Sequence, residues 1–208
     1  MFVGQDSVNY YIDIEGRIMY KFIKRLIDVI GALIGLIILS PVFLITAIFI
    51  KIESPGPIIF KQIRVGKNSE TFCIYKFRSM REGTPILSTE EFTNATSFIT
   101  KTGSFIRKTS IDELPQLINI LKGEMSLVGP RPVIEKEEEL IEARKIYGVD
   151  KILPGITGWA QVNGRDDINV EEKVKYDYEY MKNQNILLDI KIILMTVFKV
   201  IKSEGIKK

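Results

Sequence analysis

Val29 to Ile50, VIGALIGLIILSPVFLITAIFI, is a run of 22 residues without a charged side chain. A helix of that length covers a hydrocarbon core of about 30 Å, so the rest of the chain has to be arranged around a membrane segment. The run begins too late and is too long for the apolar part of a cleavable signal peptide, which spans about 7–15 residues, and no small-residue cleavage site precedes the next basic stretch. Lys21, Lys24 and Arg25 lie before it, and Lys51, Lys61, Arg64 and Lys67 after it. Basic flanks mark the cytoplasmic side, and here both flanks are basic. A helix that satisfies both must turn back inside the lipid. Ser40-Pro41, in the middle of the run, supplies the break: proline has no amide donor and clashes with the preceding turn, while a serine hydroxyl can bond a carbonyl left without a donor. The pattern therefore predicts a re-entrant membrane helix over residues 21–53, with Asp28 near the surface. A proline-kinked single crossing is the alternative.

The composition narrows the chemistry. The chain has 208 residues, 46% hydrophobic and 26% charged, with a single cysteine and no histidine. That excludes a disordered tail, a fully embedded protein, an internal disulfide framework, a cysteine-rich zinc site and every mechanism that uses an imidazole. Catalysis, if present, must use carboxylates, Lys, Arg, Tyr or hydroxyls, with an oxygen-ligated metal as the fitting cofactor type. A net charge of +3 gives no reason to expect a nucleic-acid partner.

Outside the membrane run, the pattern predicts an α+β fold: a small, mostly helical domain with one short β-hairpin. Residues 1–20 are polar, carry no periodicity and read as an irregular N-terminal extension. Ser54-Pro55-Gly56-Pro57 is turn chemistry that ends the membrane helix near Glu53 and opens a cytoplasmic-face domain over residues 54–208. Ile58–Arg64 and Thr71–Phe77 are β-type runs around Val65-Gly66-Lys67-Asn68, a hairpin pattern. Residues 82–100 read as an exposed loop with room for a short helix. Leu114–Lys122 is helical and closes at Gly123. Glu135–Tyr147 is a charged, solvated helix. Val170 to about Ile201 is helical with an interruption near Asn183–Asn185, and its last, very apolar part suits either a membrane interface or a core.

Two clusters could carry chemistry. In RKTSIDELP, residues 107–115, a Ser110–Glu113 capping box is the purely structural reading. Pro115 weakens it, because a helix capped at Ser110 needs a donor at residue 115, whereas one starting at Asp112 does not. In the second register Asp112 and Glu113 share the positive end of a helix, downstream of Arg107 and Lys108, and both stay ionised. Such a pair can bind a divalent cation or attack phosphorus. In Gly129-Pro130-Arg131-Pro132, two prolines stiffen the backbone around an Arg that can grip phosphate or form a structural salt bridge. Lys76, Arg78 and Arg81 in KFRSMR, and Arg165 after TGWAQVNG, are further candidates; Trp159 reads as core.

The ordered set KRLIDVIGALIGLIILSPVFLI, SPGPIIFKQIRVGKN, IYKFRSM, GSFIRKTSIDELPQLINILKGEMSLVGPRP and LPGITGWAQVNGR resembles the bacterial sugar transferases, the monotopic phosphoglycosyl transferases, from about Tyr20 to the C-terminus. That resemblance implies transfer of a sugar-1-phosphate from a UDP-sugar to undecaprenyl phosphate, with release of UMP, as the first step of capsule, exopolysaccharide or other glycan assembly. It implies Asp112 as the nucleophile, Glu113 as its partner, and Mg2+ held by Asp112 and Glu113. Arg107, Arg131 and Arg165 fall on phosphate-binding positions, with Lys76 and Arg78 as neighbours, and Ser40-Pro41 falls on the break of the re-entrant helix. The implied location is the bacterial inner membrane, catalytic domain facing the cytoplasm, among downstream glycosyltransferases; a homodimer is compatible with it. The first twenty residues match none of the family's motifs, and the extra multi-span N-terminal region of larger members is not recognisable, so a minimal catalytic form is expected. A glycosyltransferase that moves the sugar alone, a lipid phosphatase and a non-catalytic scaffold are the competing functions.

Overall fold

The computed structural model describes residues 5–84, 98–164 and 168–202, with residues 5–15, 17 and 201 as backbone only. The first helix, α1, runs from Gln5 to Ile38, 34 residues without a break. This corrects the expected irregular extension. Residues 5–28 contain no proline and one glycine, and Ile14, Ile18, Phe22 and Leu26 continue one stripe at a spacing of four, so the helix of the apolar run propagates backwards at little cost.

The break falls where the sequence places it. Helix α2 covers Ser40–Glu53, and its axis is bent by 60° from that of Ile18–Ile38. Pro41 cannot donate to the carbonyl of Ile37, four residues back; the Ser40 hydroxyl donates to that same oxygen at 2.8 Å. Among the described residues no single helix is long and apolar enough to cross a membrane, and only the bent pair meets the test together.

The anchor is docked on the rest of the protein. Ala32 of α1 is fully buried with Ile74, Leu117, Ile120 and Met125, and Gly31 and Gly35 bring the helix close to Leu127 and Leu117. Asp28, immediately before the apolar run, is 2% exposed and accepts from the Leu127 amide at 3.0 Å. The basic flank is also used internally: Arg25 donates to the Ile120 and Leu121 carbonyls, and Lys24 pairs with Asp189 at 2.9 Å.

The hairpin pairs β1 (Ile59–Val65) with β2 (Thr71–Phe77), antiparallel, in the register Ile59↔Phe77 to Val65↔Thr71. Asn68 and Ser69 take left-handed backbone angles in its turn. Helix α3 (Lys101–Lys108) leads through a 3-10 segment, Ile111–Gln116, into α4 (Leu117–Lys122), which ends at a left-handed Gly123. Of the loop expected over residues 82–100, residues 85–97 lie outside the described residues.

A second, parallel pair of short strands was not foreseen: β3 (Ser126–Val128) and β4 (Gly155–Thr157). Gly155 sits so close to this pairing that a Cβ would collide with the Gly129 nitrogen. Helices α5 (Glu138–Ile146), α6 (Trp159–Asn163), α7 (Val170–Lys182) and α8 (Ile186–Lys202) complete the fold. Asn169 and Glu172 form a reciprocal cap at the start of α7, and Asn185 accepts from the Leu188 amide at the start of α8, which explains the interruption between the two. On α8, Ile192 is completely buried while Leu187, Leu194 and Phe198 are exposed, so one side of the helix is core and the other is an outward apolar face.

Candidate active site

Ser110 adopts left-handed angles, φ 56° and ψ 17°, and its side chain caps nothing. The Ser110–Glu113 capping box therefore does not form. The kink turns the chain out of α3 and into the 3-10 segment, with Pro115 inside it; proline has no amide to donate to the Asp112 carbonyl three residues back. The segment packs across β2, and one fully buried side chain of α4 fastens that helix to the same strand. Asn119 accepts from the Tyr75 amide at 3.1 Å and donates to the Cys73 carbonyl and to Glu124, both at 2.7 Å. It satisfies the open edge of β2 one residue before Lys76.

From this frame Lys76 reaches Glu113. Its Nζ lies 2.8 Å from Glu113 Oε1, and the Arg131 guanidinium lies 2.8 Å from the same oxygen, with a longer contact of 3.5 Å to Oε2. Burial acts to raise the Glu113 pKa, but Arg131 and Lys76 outweigh it and hold the carboxyl far below its usual range. Asp112 differs sharply. Among the described residues no hydrogen bond to its carboxylate forms, and burial, then the charge of Glu113, push its pKa up to about 6 against Lys76, Arg107 and Arg131. Both acids are ionised at neutral pH, as expected, but Asp112 by a much narrower margin than Glu113.

Lys76, Arg107 and Arg131 thus converge on the acidic pair. Arg78 does not join them. It is 6% exposed and donates to the carbonyls of Pro55 at 2.6 Å and Ser54 at 2.7 Å and to the Ser54 hydroxyl at 2.9 Å. The expectation that it binds phosphate is corrected: it ties down the turn that follows α2, with only a 3.5 Å contact to the Ile50 carbonyl in the helix's last turn. Arg165 lies outside the described residues. Sequence reading missed Asn119, Arg144 and Asp177. Two of them left a trace: Asn119 interrupts the apolar stripe of LINIL, and Asp177 lies midway between Val174 and Tyr180 on the buried side of α7.

A family model described as "Bacterial sugar transferase" matches residues 19–203. The chain belongs to the bacterial sugar transferase family. It is 42% identical over 189 residues to "Uncharacterized sugar transferase EpsL" of Bacillus subtilis (strain 168), covering 89% of this chain and 91% of that protein. It is 41% identical over 188 residues to the UDP-glucose:undecaprenyl-phosphate glucose-1-phosphate transferase of Escherichia coli (strain K12), covering 86% of this chain and 40% of that protein. To the UDP-N-acetylgalactosamine-undecaprenyl-phosphate N-acetylgalactosaminephosphotransferase of Aeromonas hydrophila it is 40% identical over 197 residues, covering 90% of this chain and 45% of that one. The sugar transferase described here thus spans less than half the length of those last two relatives. The acidic pair, the cations around it and the bend at Ser40-Pro41 all fall inside the matched region.

Proposed function

We propose that this transferase moves a sugar-1-phosphate from a UDP-sugar to undecaprenyl phosphate, releasing UMP and starting a polysaccharide or other glycan. The observation that carries this reading is the asymmetry of the acidic pair: Glu113 is locked between two cations, while Asp112 has no hydrogen bond from the described residues and a pKa of about 6. Near neutral pH, Asp112 is ionised yet weakly stabilised, which suits a nucleophile. In the first step a carboxylate oxygen of Asp112 forms a bond to the β-phosphorus as the bond from that phosphorus to the bridging oxygen breaks, and UMP leaves with the electron pair. In the second, an oxygen of the lipid phosphate attacks the same phosphorus and expels the Asp112 carboxylate, leaving a lipid-linked diphosphosugar. Lys76, Arg107 and Arg131 offset the repulsion between an anionic nucleophile and an anionic diphosphate.

The donor set suits Mg2+, which uses one or two protein carboxylates and completes its shell with water and phosphate oxygens. Among the described residues Asp112 accepts no hydrogen bond and Glu113 Oε2 accepts only at 3.5 Å, so these two side chains would hold the ion. When bound it supplies further positive charge at the diphosphate.

The anchor supports a location at headgroup height. Phe22, Ile37, Leu44, Ile52, Leu187 and Leu194 are each more than 60% exposed, on α1, α2 and α8, an apolar surface larger than soluble proteins usually leave open. With the 60° bend, this favours a re-entrant helix in the cytoplasmic leaflet with α8 lying at the interface. The test is incubation with undecaprenyl phosphate and a panel of UDP-sugars. UMP release with one of them is expected; UDP release would indicate transfer of the sugar alone, and no nucleotide release would indicate a scaffold.

A further inference from the structure

Behind the acidic pair lies an ion pair that the chemistry above does not use. Arg144 on α5 donates from Nε at 3.0 Å and from a terminal nitrogen at 2.6 Å to Asp177 Oδ2 on α7. Its other terminal nitrogen donates to the main-chain carbonyl of Arg131 at 2.9 Å. Arg144 is 9% exposed and Asp177 only 1%. Taking two charges out of water costs several kcal/mol for each ion, and a packed apolar pair is often as stable, so fold stability alone is a poor reason for this arrangement. A guanidinium differs from an apolar group in offering fixed, planar donors. Here one edge is fixed on Asp177, and that fixes where the remaining donor points.

It points at a loop pinned on four consecutive carbonyls. The Gly155 amide donates to Pro130 at 2.9 Å, Arg144 to Arg131, Arg64 to Pro132 at 3.5 Å, and the Val65 amide to Val133 at 2.8 Å. Prolines at 130 and 132 fix φ on both sides of Arg131. The Arg131 side chain leaves this loop to grip Glu113 and is 43% exposed at the mouth of the site. Resting on the transferase reading, we propose that Arg144, oriented by Asp177, is a positioning residue for the donor diphosphate: it fixes the main chain at Arg131 and so aims that guanidinium at Glu113 and the incoming phosphates. Arg144 itself touches no substrate.

The test is a double-mutant cycle. Arg144→Lys keeps a positive charge for Asp177 but loses the planar fork; Asp177→Asn keeps shape but loses the charge that orients Arg144. Each is combined with Arg131→Ala. Two readouts are taken on the full-length protein in detergent: equilibrium binding of UDP, the diphosphate common to the donors, and KM and kcat for whichever UDP-sugar yields UMP. Misplacement by about 1 Å can cost on the order of 100-fold, so each single variant is expected to weaken UDP binding by about 10- to 100-fold and to raise KM more than it lowers kcat. In the Arg131→Ala background the same changes should alter binding by no more than about twofold, the usual scatter of additivity. Thermal unfolding of each protein identifies any variant that has lost its fold, and the cycle is read on the variant that has not. Equal losses with and without Arg131, no loss in either, or a wild-type protein that does not bind UDP would overturn the proposal. A coupled UDP cycle in a protein that releases no UMP would leave the positioning role standing and remove the transferase reading; normal UMP release with an additive cycle would do the reverse.

Discussion

Asp112→Asn should abolish turnover and, at the same time, stabilise the protein. The carboxyl titrates at about 6 in the folded chain against an ordinary value of 3.8. An acid whose pKa is raised by folding binds its proton more tightly when folded, so its ionisation is a cost: fully present above about 6, shrinking as pH falls, and absent below about 3.8. At about 1.4 kcal/mol per pH unit, the rise from 3.8 to about 6 corresponds to a cost of up to ~3 kcal/mol at pH 7.5. Asparagine has nearly the same shape, carries no charge beside Glu113, and removes that cost. For a chain of this size about 1 kcal/mol shifts Tm by roughly 2–4 °C, so a gain of up to about 6–12 °C is expected at pH 7.5, falling towards zero at pH 4. The assay is thermal unfolding of both proteins in the same detergent across that range. An Asn variant less stable than the wild type at pH 7.5, or a gap that does not change with pH, would refute the claim that Asp112 is held ionised at a cost.

The same titration governs the reaction. In the free enzyme kcat/KM for the donor should rise about tenfold per pH unit below about 6 and level off above it; a profile flat down to pH 4.5 would remove the Asp112 carboxylate from the rate-limiting step. Asn119→Ala strips partners from the Tyr75 amide, the Cys73 carbonyl and Glu124, and each buried polar group left unpaired costs about 1–3 kcal/mol. A Tm drop of roughly 6 °C or more is expected, together with lower activity, because the loosened strand carries Lys76. Pro41→Ala restores the missing donor to the Ile37 carbonyl and should straighten the 60° bend. Single-cysteine labelling at residues 16 and 54, in a Cys73→Ser background, should find both positions on the cytoplasmic side natively and on opposite sides in the variant; opposite sides in the native protein would contradict the re-entrant reading.

Local chemistry in the sequence identifies those parts of the fold that local chemistry determines. The hairpin shows in two β-type runs around a Gly-Lys-Asn turn, the bend in Ser40-Pro41, and the end of α4 in Gly123, because in each case neighbouring residues set the backbone. Tertiary contacts decide the rest. The parallel pairing of β3 with β4 joins residues almost thirty apart through strands of only three residues, too short to show a period. Asp28, Lys24 and Arg25 look like headgroup-facing charges from their position beside an apolar run; the docking of α1 on β3, α4 and α8 turns them inward. The site divides in the same way. Asp112, Glu113, Lys76, Arg107 and Arg131 were named from motifs and do meet. The difference between the two acids was not legible, because it depends on which one Lys76 and Arg131 reach across the fold. Arg78 stands two residues from Lys76, the strand residue of the site, and still faces the other way, onto the carbonyls of Ser54 and Pro55 just beyond α2.

All of the chemistry rests on a phosphosugar carried for a time on Asp112, and intact-protein mass spectrometry can look for it. The full-length protein is mixed with a productive UDP-sugar in the absence of lipid, quenched in acid within seconds and weighed, and the modified peptide is then sequenced. A mass gain equal to one sugar phosphate, mapped to Asp112 and missing from Asp112→Asn, is expected. An unmodified protein under those conditions, from a preparation that still forms lipid-linked product once undecaprenyl phosphate is added, would contradict it.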